Sequence, residues 1–442
     1  MPPCGPALPC PPASSGPTRR LVLAAGASAL AVRPARAGAL PSHACADFTG
    51  SVGVNTHFGH DGTPYVERFA RCAAALDELG VRHLRDDIVL PGAEASAPPQ
   101  FQRIAELARA GHRFSLVFYD GLDVGPLVPP RRLPDIAAWC AGGLEIAEGS
   151  NEPNIATGAG AGAGRPQASA EHQRALYRAA RNAGGPLKVA GPSYVQANVA
   201  AAESLANAVN FGNIHPYPGM EHPETTGNGD LRRFIAAARP IFGRAPLLAT
   251  ENGYHTALAT KSFHFPVSEA VRARYTPRLL LWSFLQGIRR TYLYELIASV
   301  DRGEADPEGH FGLLRFDGAP TPTFRAVANL MRLFRAAAAA PASPLDVAID
   351  AAPRDLQAAR FQRGDGAVLV PLWLGIDGWD PVKRRARPDA PAQAVALTLS
   401  AEPKAARLHR FADDGSVSVE TLAPARTPTV GVTDRLALVE LA

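Results

Sequence analysis

Eight short apolar stretches recur between Val52 and Thr291, most of them followed by a longer segment with helical spacing, and this rhythm restricts the fold more than any other property of the chain. They are residues 51–58, 81–85, 114–119, 143–148, 187–190, 209–214, 245–250 and 290–295. About 240 residues over seven repeats is about 34 per repeat, enough for a strand, a crossover helix and two loops. Strands joined in this way are parallel and close into a (β/α)8 barrel. Helical periodicity places helices over 65–80, which Gly80 ends, over 101–111, from about 169 to 182, over 267–287, and over 323–335 as the closing element.

The pattern changes past the Ala/Pro stretch 336–344. Short alternating strands now flank Asp365-Gly366 and Asp414-Gly415, the signature of hairpins. The reading is a (β/α)8 TIM barrel over 45–338 and a C-terminal antiparallel β-sandwich over 345–442, the latter without an evident catalytic group. Ahead of both, Arg19-Arg20, an apolar run over 21–32 and Ala35-Arg36-Ala37 have the layout of a secretory signal over 1–37, and the arginine pair suggests the twin-arginine route. This predicts export to the periplasm or beyond. The run of about a dozen apolar residues falls short of the roughly 20 that a spanning helix needs, so no stable membrane insertion is expected.

The net charge of +4 is confined to that leader, which holds Arg19, Arg20, Arg33 and Arg36 and no acid. The remainder is formally neutral and shows no electrostatic footprint for nucleic acid. Of five cysteines, Cys45, Cys72 and Cys140 lie after the leader, with room for one disulfide and no zinc spacing.

Chemistry concentrates at two strand ends. Asn151-Glu152-Pro153 follows the fourth strand, and Pro153 forbids that strand from continuing in a ladder. Glu251-Asn252-Gly253-Tyr254 follows the seventh. The separation, 251 − 152 = 99 residues, is about three β/α units, so both carboxylates belong at the C-terminal mouth of the barrel. This pair resembles the clan A glycoside hydrolases, and Asn55 with His57 on the first strand resembles the family 39 branch. The resemblance implies that Glu152 is the acid/base and Glu251 the nucleophile of a retaining β-glycosidase that needs no cofactor and acts on a poly- or oligosaccharide. It further implies that Asn151 binds the sugar 2-hydroxyl and that Arg85 and Tyr217 keep Glu251 ionised.

Other residues are read beside these. His57 is a glycone contact and His60 faces solvent, because two histidines alone make a poor metal site. His215 either touches substrate or bonds a loop carbonyl. Asp120 and Tyr254 are rim candidates. Tyr294 and Glu295 stand where many clan members carry a tryptophan sugar platform, and Trp282 in the preceding helix reads as core. Phe311-Gly312-Leu313-Leu314 and Pro320-Thr321-Pro322 resemble the clan's return to its last helix. The alternating glycines of 158–164 lack the Lys-Ser/Thr of a phosphate loop and read as a cleft loop. Two other readings use the same residues: a glycan-binding protein on a degenerate barrel, and a transglycosylase that remodels surface polysaccharide.

Overall fold

In the computed structural model the eight stretches form eight parallel strands: β1 (Val52–Asn55), β2 (His83–Asp87), β3 (Arg113–Val117), β4 (Leu144–Glu148), β5 (Lys188–Ala190), β6 (Gly212–Ile214), β7 (Leu247–Asn252) and β8 (Ile288–Leu293). Their spatial order is β5-β4-β3-β2-β1-β8-β7-β6, and single bridges Ala190–Phe211 and Tyr194–Ile214 close the ring. The structure describes residues 36–90, 96–121, 125–153, 165–194, 202–261, 265–335 and 345–442. Most of the expected leader and the glycine tract 158–164 lie outside them.

Strands enclosed by helices are buried on both faces, so their sequences read as apolar runs without strict alternation. β1 is buried at all four positions. β2 departs from its expected end, because Asp86 and Asp87 continue the ladder opposite Leu116 and Val117 instead of opening a loop. Asp86 tolerates burial by accepting from Thr56 Oγ1 at 2.7 Å, from the Phe58 N–H at 3.0 Å and from Gln100 Nε2 at 3.1 Å. The helix expected over 65–80 divides at Arg68 into Pro64–Glu67 and Phe69–Leu79, and Gly80 ends it at φ +70°. A further helix, Leu133–Trp139, joins β3 to β4, and its short length hides its periodicity in the sequence.

The helix Glu269–Leu285 is capped by the Ser268 hydroxyl and buried along almost its whole length, Trp282 included. It has barrel on one side and the second domain on the other. That second domain is antiparallel, and its strand Val368–Leu374 is buried at every residue. Alternation explains this: Val368, Val370, Leu372 and Leu374 fill the sandwich interior, whereas Leu369 and Trp373 join the apolar cluster that includes the barrel helices.

Two strands from ahead of the barrel complete the sandwich. Arg36–Ala39 pairs antiparallel with Val347–Ala351, and Ser42–Ala44 runs parallel to Arg360–Gln362. The first of these strands spans the cleavage point expected after Ala37. Cys45, Cys72 and Cys140 are buried free thiols, which burial pushes up to about 12. Among the described residues no helix is long and apolar enough to cross a membrane.

Candidate active site

Glu251 sits within β7, whereas Glu152 lies beyond the last residue of β4, Glu148. The chain between them turns sharply. Gly149 leaves no room for a Cβ, which would fall 2.1 Å from Gln173 Oε1 and 2.8 Å from the Pro192 nitrogen. Glu152 itself adopts φ +45°, a conformation costing an L residue about 1–2 kcal/mol. Its N–H is held by the Ser193 carbonyl at 3.0 Å, and Asn151 bridges to Ser193. This aims the Glu152 carboxylate across the barrel mouth.

Arg85 organises the opposite carboxylate. Its Nη1 donates to Glu251 Oε1 at 2.6 Å and to Asn55 Oδ1 at 3.0 Å, its Nη2 to Asn151 Oδ1 at 2.6 Å, and its Nε to Glu148 Oε1 at 3.0 Å. Tyr217 donates to Glu251 Oε2 at 2.8 Å. Burial raises the Glu251 carboxyl, but the charges of His215 and Arg85 and the bonds from Tyr217 and Arg85 outweigh it, holding Glu251 below the usual carboxylate range. The Tyr217 phenol, raised well above its ordinary value by burial and by Glu251, stays a donor.

Glu148 is the floor of this arrangement. Fully buried, it also receives Ser115 Oγ at 3.0 Å, Asn213 Nδ2 at 3.1 Å and Thr250 Oγ1 at 2.9 Å. Thr250 then fixes a proton elsewhere. Its hydroxyl has one hydrogen and faces two acceptors, Glu148 Oε1 and Asn213 Oδ1, so the 3.1 Å contact with His215 must be donated by the imidazole Nε2–H. That leaves Nδ1 of His215 facing Glu152 Oε1 at 2.8 Å, with one proton between the imidazole and the carboxyl.

A second cluster stands beside the first. Asp87 bridges His57 Nδ1 at 3.2 Å and His60 Nε2 at 2.7 Å, and His57 Nε2 faces Glu295 at 3.5 Å. Burial opposes charge on His57, but Asp87 and Glu295 prevail and lift it to about 9. Glu295 is fully buried, bonded to Tyr65 and Ser299, and pushed up to about 7 chiefly by burial. Ligand atoms of His57, His60 and Asp87 lie within 4.8 Å of one another, as do those of Glu152, His215 and Glu251, so either trio has the donors for a divalent cation. Asp87 is the third group that the sequence reading of His57 and His60 lacks.

Asn55, His57, Arg85, Asn151, Glu251 and Tyr294 all border one cavity of about 290 Å³, with Tyr119 and Asp87 on its wall. A second cavity, about 250 Å³, is bordered by Tyr217, Tyr254, His255, Phe265 and Phe311. Phe311 stands edge-on to Tyr217 at 5.9 Å and to Tyr294 at 5.3 Å. Arg272 fixes it by donating to the carbonyls of His310, Phe311 and Gly312. His215 bonds Glu152 and Thr250 and not a loop carbonyl, with Glu251 Oε2 at 3.6 Å. Glu295 and Asp120 do not line the first cavity: Glu295 faces His57 at 3.5 Å, and Asp120 acts on His172 and Tyr194, whereas Tyr254 borders the second cavity and its hydroxyl donates to the Glu221 carbonyl at 3.0 Å. The sequence reading omits Glu148, Thr250, Asp87 and Tyr119; the charge of Glu148 inside an apolar strand is the one signal that points to a buried network.

Many solved structures match this architecture, among them three matched over more than four fifths of both chains. A family 39 glycoside hydrolase from the gut symbiont Bacteroides cellulosilyticus WH2 is 14% identical, with 90% of this chain and 82% of that one covered and a TM-score of 0.59. This chain shares their fold. A family 39 β-xylosidase from Caulobacter crescentus is 16% identical over 92% of this chain and 98% of that one, with a TM-score of 0.56. A glucosidase from Croceicoccus marinus is 12% identical over 89% and 95%, with a TM-score of 0.59. No protein-family model and no curated protein matches the sequence.

Proposed function

We propose that the protein is a glycoside hydrolase that cleaves a β-linked O-glycoside with net retention through a glycosyl-enzyme intermediate. The observation that carries this is the opposed setting of two carboxylates, Glu152 and Glu251, whose nearest ligand atoms lie within 4.8 Å. Retaining enzymes hold their carboxyl groups about 5–5.5 Å apart, whereas inverting ones leave about 6.5–9.5 Å for a water.

The two environments divide the labour. Arg85 and Tyr217 hold Glu251 ionised for attack on the anomeric carbon, and the paired Glu152 and His215 hold between them the proton that Glu152 passes to the departing oxygen. As that oxygen leaves with the proton, Glu152 becomes a carboxylate. It then takes a proton from water, which attacks the anomeric carbon and releases Glu251. Asn151, tied to Arg85, is placed for the sugar 2-hydroxyl, a contact that strengthens as the oxocarbenium-like state develops. The cavity bordered by Asn55, His57 and Asn151 is the glycone site on this reading. Export, on the pattern of the leader, is part of the same proposal and would bring the enzyme to a glycan outside the cytoplasm.

Incubation with a panel of 2-fluoro glycosyl fluorides, followed by peptide mass mapping, tests the reading. A label on Glu251 is expected. A folded protein that takes no label and releases no sugar from any glycoside in the panel would overturn it.

A further inference from the structure

The sandwich domain reaches the catalytic side through one buried carboxylate. Glu224 lies in the loop between β6 and the helix Leu231–Phe242, the same loop that carries His215 and Tyr217. It accepts from Trp373 Nε1 at 2.6 Å, from His222 Nδ1 at 3.1 Å, and from both Nε, at 3.2 Å, and Nη2 of Arg278. Trp373 belongs to the sandwich strand Val368–Leu374. Arg278, on the helix Glu269–Leu285, also donates to the carbonyls of Asp434 at 2.9 Å and Ile376 at 3.3 Å, both in sandwich loops. A single carboxylate thereby joins an active-site loop, a barrel helix and the second domain.

The rest of the loop has little regular structure to keep it in place. Within it Glu221 accepts from Thr225 Oγ1 at 3.0 Å and the Gly229 N–H at 2.9 Å, its carbonyl receives the Tyr254 hydroxyl at 3.0 Å, and Arg232 and Arg233 donate to the carbonyls of Thr225 and Gly227. Long loops without helix or strand depend on such fixed points for their position. Tyr217 stands near the start of this loop, and a small displacement there would break its 2.8 Å bond to Glu251.

We propose that Trp373, Arg278 and Glu224 form a bolt by which the sandwich domain holds the loop that presents Tyr217 to Glu251. Trp373 and Glu224 are then positioning residues, in a domain contact that reaches the nucleophile through the loop. The kinetic half of this inference rests on the glycosidase reading.

Trp373→Phe in the full chain removes the N–H and keeps an aromatic ring. The expected result is faster hydrogen–deuterium exchange in peptides covering 217–230, with β7 and β8 still protected. On an activated aryl glycoside, kcat/KM falls about tenfold, and the acid limb of its pH profile moves to higher pH, as for loss of one hydrogen bond to a charged group. Glu224→Gln, which retains an acceptor for Trp373 but not the charge facing Arg278, should release the same peptides and serves if Trp373→Phe does not fold. Unchanged exchange in the loop overturns the bolt, and so does faster exchange with an unmoved acid limb. A uniform rise in exchange across the barrel overturns it in favour of a general stability role. A wild-type chain inert to every glycoside overturns the glycosidase reading instead, and the bolt is then decided by loop exchange alone.

Discussion

Tyr217 and Arg85 grip Glu251 from opposite sides, the phenol on Oε2 at 2.8 Å and the guanidinium on Oε1 at 2.6 Å. Both bonds favour the carboxylate over the acid. Tyr217→Phe deletes one of them, so the Glu251 carboxyl rises toward the ordinary range, and the acid limb of kcat/KM moves to higher pH. A bond to a charged group is worth about 1.5–3 kcal/mol, which corresponds to a loss of about ten- to a hundredfold. A pH–rate profile of the variant checks both numbers; an unmoved limb would show that Tyr217 does not act on Glu251.

Glu152 and Glu251 should fail in different ways. Glu251→Ala abolishes turnover of every substrate. Glu152→Ala retains the first step for leaving groups that need no proton, such as dinitrophenol, and loses about 10²–10⁴ on alkyl or sugar leaving groups. Steady-state rates against leaving-group acidity separate the two, and equal losses across the series would contradict the assignment.

Thr250 is a quieter target. Thr250→Val removes the acceptor that orients the His215 Nε2–H and takes a donor from Glu148. The alternative tautomer, with its hydrogen on Nδ1, then becomes available to donate to an ionised Glu152. The basic limb of the activity profile should move to lower pH, with the acid limb nearly unchanged. Isosteric loss of a hydroxyl keeps the packing, so the fold should survive with a loss on the order of 1 kcal/mol.

Acid should unlock the domain contact. Glu224, where burial is outweighed by Arg278 and His222, is held down to about 2, against 4.5 for a free glutamate. A depressed folded-state value adds stability that is present above about pH 4.5 and lost as pH falls through about 2, on the order of 3 kcal/mol. Glu224→Gln should therefore narrow the gap between melting temperatures at pH 7 and pH 3, measured by calorimetry. A gap of the wild-type size would mean that other carboxylates govern the acid limb of stability.

The barrel was legible because each strand is enclosed and therefore reads as a compact apolar run, and because crossover helices impose a fixed period. Glu152 and Glu251 were legible from Pro153 and from their spacing of three units. What stayed hidden depends on partners distant in sequence. Asp86 and Asp87 look like loop acids until Thr56, Gln100 and two histidines are brought to them. Tyr65 resembles any helical core tyrosine, yet its hydroxyl meets Glu295 230 residues away. Arg278 and Trp373 carry no motif, and their meaning lies in the carboxylate placed between them. Local pattern reports burial and turns, whereas a polar network is a property of the closed barrel.

The strand Ser42–Ala44, beside Arg360–Gln362, has one more consequence. Arg360 reaches the Ser42 hydroxyl across 318 residues of chain. During synthesis the first of these strands must wait, its edge unpaired, until nearly the entire polypeptide has emerged. Such long-range pairing slows folding and ties early and late segments into one transition. The molecule should therefore behave toward proteases and heat as a closed loop, in which trimming the residues ahead of the barrel loosens the far end of the chain.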